Sequence, residues 1–323
     1  MEVISNKKTF YELIKDFEHI PYVQSEGWCN YTQTIKPNGI RFFINDCSCP
    51  TIACFGHEKT FLWLKLLQID GECLRSTQIT NEQIKSFFKE ITLLGYDFIE
   101  FNSELPYNPA LEIGIREAGY LRPIGIFSNY LTKDIHLQKP LVFSSNWKRN
   151  LKTASKHSFS FTVSSSPPDA EVAHFTSMYR ELLNDKQFTH PFQELQFRQL
   201  LTDPAFSLAW LKNEAGENVT SFIYYQRNGR AQSVFRAKNN AAKKNSATYE
   251  MYYQILCSLA KQDCEKFNVN RLTPGTKQGL FDFKNGIEGE LYMLCGEFAW
   301  YKKTCFRLVM FFVKKFLLKR NDA

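Results

Sequence analysis

The sequence has nine cysteines but no Cys-x-x-Cys, and its closest pair, Cys47 and Cys49, is separated by one residue. That spacing excludes a thioredoxin-like redox motif and the paired ligands of a structural zinc site. An odd, scattered set reads as reduced thiols in a cytoplasmic protein, most of them packing residues. The six histidines stand in no recurring Ser, Cys or Asp context, so neither a catalytic triad nor a metal site is expected. No apolar run reaches the ~20 residues of a membrane-crossing helix. The opening Met-Glu-Val-Ile-Ser-Asn-Lys-Lys does not read as a signal peptide.

Aromatic residues, by contrast, are plentiful: 15% of 323 residues, 29 of them Phe, within a hydrophobic share of 44%. This excludes a disordered chain and predicts two well-buried domains of about 150 residues each. The net charge of +7 is uneven, because seven basic residues and no acid lie between Lys302 and Arg320. The rest of the chain is neutral. A nucleic-acid-coating surface is therefore not expected, and one local anionic partner is.

Periodicity predicts helices over Lys8–His19, from Thr80 to Gly95, and over Leu111–Ala118, with strands at Ile40–Ile44, Thr51–Phe55, Phe61–Ile69 and Tyr96–Asn102. Pro21–Trp28 reads as a polar-aromatic turn and Tyr120–Leu131 as a strand pair. His136–Phe143 reads as a linker. Beyond it come a basic helix (Asn146–Lys156), a strand (Phe159–Val163), a long helix (Pro168–Leu183) and a further one over Phe192–Leu201. Strands at Phe206–Lys212, Thr220–Gln226 and Ala231–Ala237 follow, then a helix from Ser246 to Cys264. The order of element types in the second half repeats that of the first. The fold class is α+β, with helices on mixed, mainly antiparallel sheets.

Four stretches bear on chemistry. In Phe281–Glu290 (Phe-Asp-Phe-Lys-Asn-Gly-Ile-Glu-Gly-Glu) Lys284 stands beside aromatic rings, and Gly286 and Gly289 permit close backbone approach to a ligand. A lone lysine there can steady a developing oxyanion; the plainer alternative is a strand ending in a glycine turn with an exposed lysine. Gln226-Arg-Asn-Gly-Arg-Ala231 has the spacing of a coenzyme A pyrophosphate loop, but a strand follows where a helix is needed, so Asn228-Gly229 reads as a type I′ hairpin. Lys148, Lys152 and Lys156 share one face of the basic helix, with Arg149 beside them, and suit a diphosphate or RNA backbone or a solvated surface. The tail from Thr304 to Lys319 gathers Phe306, Val309, Met310, Val313, Phe316 and Leu317 on one arc. It fits a helix lying on an anionic membrane surface or packed on the core.

In order, these stretches resemble the FemA/FemB/FemX peptidyltransferases, within the superfamily of two tandem GNAT-like domains. Val23-Gln-Ser-Glu-Gly-Trp28 is similar to the family's Gln-Ser-x-x-Trp segment, and Trp147-Lys-Arg-Asn-Leu-Lys-Thr-Ala154 to its basic crossover helix. Leu111–Tyr120 resembles the general GNAT helix-to-strand step, and Phe283-Lys284-Asn-Gly-Ile-Glu-Gly289 the family's Phe-Lys-x-x-Phe-Gly signature. The resemblance implies domains at 1–141 (acceptor side) and 142–303 (acyl-donor side), with a basic tail at 304–323. It implies transfer of an aminoacyl or acyl group to an amine of a cell-envelope precursor, such as a UDP- or lipid-linked muropeptide. The donor would be aminoacyl-tRNA or acyl-CoA, with no permanently bound cofactor. Lys284 would stabilise the oxyanion, Phe283, Gly286 and Gly289 would shape the donor channel, and Gln24, Trp28 and Tyr107 would border the acceptor groove. Ile287 and Glu288 depart from the family pattern and leave an inactive membrane-docking scaffold as an alternative.

Overall fold

The computed structural model describes residues 1–61, 63–123, 130–184, 192–240, 242, 245–275 and 278–313. The chain forms two compact units whose membership is not contiguous in sequence. One comprises Met1–Glu26, Lys36–Tyr130 and Met293–Ala323; the other comprises Gly27–Ile35 and Leu131–Tyr292. The expected boundaries at 141/142 and 303/304 are contiguous cuts and therefore differ from this partition. The difference arises from long-range pairing, which no local pattern records.

In the first unit the strands are β1 (Glu2–Ile4), β2 (Ile40–Ile44), β3 (Ile52–Phe61), β4 (Leu64–Asp70), β5 (Cys73–Leu74), β6 (Phe98–Pro106) and β13 (Glu290–Tyr301). They pair in the order β1-β2-β3-β4-β6-β13, with β5 on β3. All pairs are antiparallel except β4–β6, which aligns Leu66 with Phe98 through Asp70 with Asn102. The crossover between those two strands is α3 (Asn81–Thr92). Thr80 and Gln83 cap it reciprocally, Gln83 N–H donating to Thr80 Oγ1 (3.3 Å) and Thr80 N–H to Gln83 Oε1 (3.1 Å). Its Ile84, Phe87, Phe88 and Ile91 join Leu111 and Ile115 of α4 (Pro109–Glu117) in a core with Phe43, Leu67, Ile69 and Phe101.

The second unit runs β7 (Leu131–His136), β8 (Ser160–Ser164), β9 (Phe206–Lys212), β10 (Asn218–Arg227), β11 (Arg230–Lys238) and β12 (Lys266–Asn268), ordered β7-β12-β11-β10-β9-β8. Again a single pair, β11–β12, is parallel. Its crossover is α8 (Ala247–Ala260), whose Met251, Tyr252, Ile255 and Leu256 pack with Phe222 and Phe267. The remaining helices here are α5 (Ser145–Ala154), α6 (Asp169–Asn184), α7 (Glu194–Leu200) and α9 (Gln278–Asn285). At the β10–β11 turn Asn228 and Gly229 have φ of 49° and 71°, the left-handed geometry of a type I′ hairpin, so the pyrophosphate-like spacing belongs to a turn.

Two local expectations change. The turn expected at 21–28 is a 3₁₀ turn (Tyr22–Gln24) followed by a helix, α2 (Glu26–Ile35). Gly27 allows this helix to seat on α7, since a β-carbon would sit 2.5 Å from Leu200 O, and its N–H donates to Asp203 Oδ2 (2.9 Å). Tertiary contact here overrides the poor helix propensity of Gly and Thr. Residues 124–129 of the expected strand pair lie outside the described residues; Leu121 bridges to Ala299 and Leu131 opens β7.

Gln24 is completely buried, and its amide stitches β3 to β4. Its Nε2 donates to Phe55 O (3.0 Å) and Asp70 O (2.7 Å), and Phe55 N–H donates to its Oε1 (2.7 Å). Gln24→Ala would strand these backbone groups in the core. We expect a loss of about 2–4 kcal/mol, read as a lower urea midpoint with an unchanged m-value.

Candidate functional site

Parallel strands that diverge leave a cleft at their carboxyl ends, where backbone groups and side chains can face a ligand. In the second unit β11 and β12 pair through Gln232–Asn268 and then separate. Asn270, left-handed at φ 62°, spans the gap by donating from Nδ2 to Ser233 O (3.0 Å). Beyond it lie Arg271 and, on β11, Arg236.

α9 carries Lys284 into this region. The lysine sits in the last helical turn with 7% of its surface exposed, and Nζ donates to Arg271 O (2.7 Å). The alternative of an exposed lysine on a strand end is thereby corrected. Burial pushes its pKa down to about 7, and the neighbouring charges of Arg236 and Arg271 push the same way. The Arg236 guanidinium lies 5.4 Å from the centre of the Phe283 ring. Phe283 in turn packs on Trp147, Tyr249 and Tyr252 at ring separations of 5.0, 5.0 and 5.2 Å. The hydroxyl of Tyr252 is buried and has no hydrogen-bond partner among the described residues. A buried hydroxyl within the influence of the Arg236 charge can donate to a ligand oxygen.

Several contacts fix α9 in place. Trp147 Nε1 donates to Phe283 O (2.6 Å), and a β-carbon on Gly286 would collide with that indole. A β-carbon on Gly289 would likewise strike Asp134 O of β7. Both glycines thus admit protein neighbours, where the sequence reading expected close approach to a ligand. Lys133, which sequence reasoning missed, is buried and donates to Asn285 O (3.0 Å), Asn285 Oδ1 (2.7 Å) and Ile287 O (2.9 Å). It caps the helix C-terminus with a positive charge, where the backbone carbonyls are otherwise unpaired. A lysine in the middle of a strand carries no sequence signal for this role. Ile287 is fully buried and Glu288 is exposed.

The other expected residues separate. Lys148 and Arg149 are exposed on α5, Arg149 donating to Asn146 Oδ1 (2.8 Å). Trp28 belongs to the second unit, stacked 4.9 Å from Tyr31 and 6.1 Å from Phe235. Tyr107 is 51% exposed in the first unit. Gln24 is committed to backbone groups, as described above.

At the matching place in the first unit, beyond Asp70 and Asn102, a carboxyl group fills the divergence. Glu72 is fully buried and accepts from Ser103 Oγ (2.5 Å) and Glu104 N–H (3.2 Å). Burial raises its pKa to about 8. A second basic group in that unit was also missed: Lys36, Lys59 and His57. Desolvation and the repulsion of Lys59 lower Lys36 to about 8, and burial together with both lysines lowers His57 to about 4. His57 Nδ1 has no hydrogen-bond partner among the described residues. Among those residues no group of His, Cys, Asp and Glu could hold a metal ion.

The fold is that of two tandem GNAT-like units. No family model and no curated protein sequence matches the chain. Among solved structures it is similar to FemX, with a TM-score of 0.71, 11% identity, and 96% of this chain aligned to 100% of that one. It is similar also to L-PGS from Bacillus licheniformis (TM-score 0.66, 14% identity, 96% of each chain). A tandem GNAT protein from the clavulanic acid biosynthesis pathway aligns with a TM-score of 0.52 and 7% identity, over 93% of this chain and 98% of its own.

The depressed pKa of Lys284 has a testable consequence. The unfolded chain holds this proton up to about pH 10.5 and the folded chain only to about 7, so stability from this group rises with pH across that window. At pH 6 the folded protein bears the full cost of the buried ammonium. Lys284→Met should therefore melt higher than the parent at pH 6, by about 1–3 kcal/mol, and the gap should close by pH 10.

Proposed function

We propose that this protein is an acyltransferase that moves an aminoacyl or acyl group to an amine of a cell-envelope precursor. The observation that carries the reading is the buried Lys284, near the charges of Arg236 and Arg271, where β11 and β12 diverge. Folding a lysine into that position is costly, and perturbed groups of this kind concentrate at working sites.

In this reading the acceptor amine attacks the carbonyl carbon of an ester or thioester. A C–N bond forms, and the carbonyl oxygen takes the negative charge as the tetrahedral intermediate develops. The Lys284 ammonium donates to that oxygen. Collapse breaks the C–O bond of an aminoacyl-tRNA or the C–S bond of an acyl-CoA, and the proton released from the amine passes to the departing oxygen or sulfur. No protein nucleophile is needed, because positioning and charge stabilisation supply the rate. Lys148 and Arg149 serve donor phosphates. Phe283 shapes the donor channel, while Gly286 and Gly289 support it by letting α9 approach Trp147 and β7. Tyr107 remains an acceptor-side candidate. In this reading the work is done on the cytoplasmic side, peripheral to the membrane.

The first test is thermal melting with an acyl-CoA, an aminoacyl-tRNA and a UDP-muropeptide separately, since a ligand of the folded state raises the midpoint. With the ligands that shift it, Lys284→Ala should lower the transfer rate ~100- to 1,000-fold. Full transfer by that variant would overturn the assignment. The pH profile adds a sign: activity that needs the ammonium falls as pH rises through about 7. Lys284→Arg, which stays charged, should remove that alkaline fall.

A further inference from the structure

Three segments of the first unit that carry exposed apolar residues adjoin, in the chain, the residues joined at Asp97. Phe61 pairs with Leu64, and Trp63 stands in the turn before Leu64, where asparagine and glycine are favoured. Trp63 is 78% exposed and Phe61 is exposed beside it. The second segment is Leu93-Leu94, which follows α3; Leu93 is 74% exposed. The third is α10 (Thr304–Val313), where Leu308, Val309 and Phe312 form an exposed stripe at helical spacing.

Asp97 ties them together. Lys65 N–H donates to its carboxylate (3.0 Å), and Asp97 N–H donates to Lys65 O (2.8 Å), which anchors the hairpin next to the end of α3. Lys302 N–H donates to Asp97 O (3.0 Å) and its Nζ lies 3.5 Å from the carboxylate, which brings in the start of α10. Exposed Lys65, Lys89, Lys302 and Lys303 stand around these segments. In sequence Lys314, Lys315, Lys319 and Arg320 follow, with no acid before Asp322.

We infer that this edge of the first unit docks on an anionic phospholipid surface, with Trp63, Leu93 and the α10 stripe entering the headgroup layer. Scattered exposed apolar residues are ordinary, but three segments that adjoin one junction are not. Tryptophan favours the membrane–water boundary, where its apolar body and polar N–H are both accommodated. The surrounding lysines match the negative surface of an anionic leaflet. They oppose the other occupants: a second copy meeting this face symmetrically would set lysine against lysine, and lysine is depleted at protein–protein interfaces. The inference stands on the first unit alone and does not depend on the chemistry proposed for the second.

The test uses the full chain with phosphatidylcholine vesicles, and with the same vesicles containing phosphatidylglycerol. Binding is expected only to the phosphatidylglycerol vesicles and should weaken as salt is raised. It should blue-shift the tryptophan emission, and lipid brominated near the headgroup should quench it. Trp63→Ser should weaken binding roughly tenfold and abolish the quenching, with its melting point unchanged because the indole is exposed. Leu308→Ser with Phe312→Ser should weaken binding as well, and Lys65→Glu should remove the preference for phosphatidylglycerol. Failure of the parent protein to bind either vesicle would overturn the inference, as would undiminished binding by Trp63→Ser. So would a dimer of the parent in solution that Trp63→Ser converts to monomer.

Discussion

The indole of Trp147 lies against the backbone of Gly286 so closely that no β-carbon could stand between them. From that contact the rest of the candidate site follows. The same indole holds the carbonyl of Phe283 and packs on its ring, so the last turn of α9 can take only one position. Lys133 closes the far side by capping the end of the helix. With the helix held from both sides, Lys284 is carried into the protein, and its ammonium has the carbonyl of Arg271 as a partner. A buried cation with two arginines nearby is an unfavourable arrangement. In the proposed reading it would receive an oxygen that becomes negative, with no dipole to reorganise when the charge appears.

The two units repeat one supersecondary idea and put it to opposite electrostatic ends. Each has a strand, a crossover helix and a parallel strand, and each parallel pair separates after its last matched residues. In the second unit the gap is faced by Arg236, Arg271 and Lys284. In the first unit Glu72 fills it, with the hydroxyl of Ser103 and the Glu104 N–H turned onto the carboxyl. A neutral, hydrogen-bonded acid closes a gap and adds to a core. The likeness to FemX and L-PGS describes the frame, and the two divergences differ in what fills them.

Much of this was legible in the sequence, for reasons that are local. The hairpin at Asn228-Gly229 was readable because few residues tolerate positive φ, and the start of α3 because Thr80 and Gln83 complete each other's hydrogen bonds within three residues. Alternating apolar residues marked β9 at Phe206–Lys212, and Lys284 stood out through its aromatic and glycine neighbours. What was not legible depends on residues far apart in the chain. α2 forms because Gly27 seats against Leu200 and Asp203, and Gln24 became a stitch between β3 and β4 because its amide matches Phe55 and Asp70. Lys133 took a capping role from within a strand. Composition and periodicity thus determined that there would be two α+β units rich in buried rings, with cations concentrated near the end. Only the tertiary structure decided that Lys284 would be buried with its pKa pulled down to about 7, that both glycines would serve packing, and that the ends of the Trp63 hairpin and of the strand before α10 would be joined at Asp97. A hydrogen-bond pattern or a φ preference spans a few residues, whereas burial and charge proximity are set by which distant segments come to lie together.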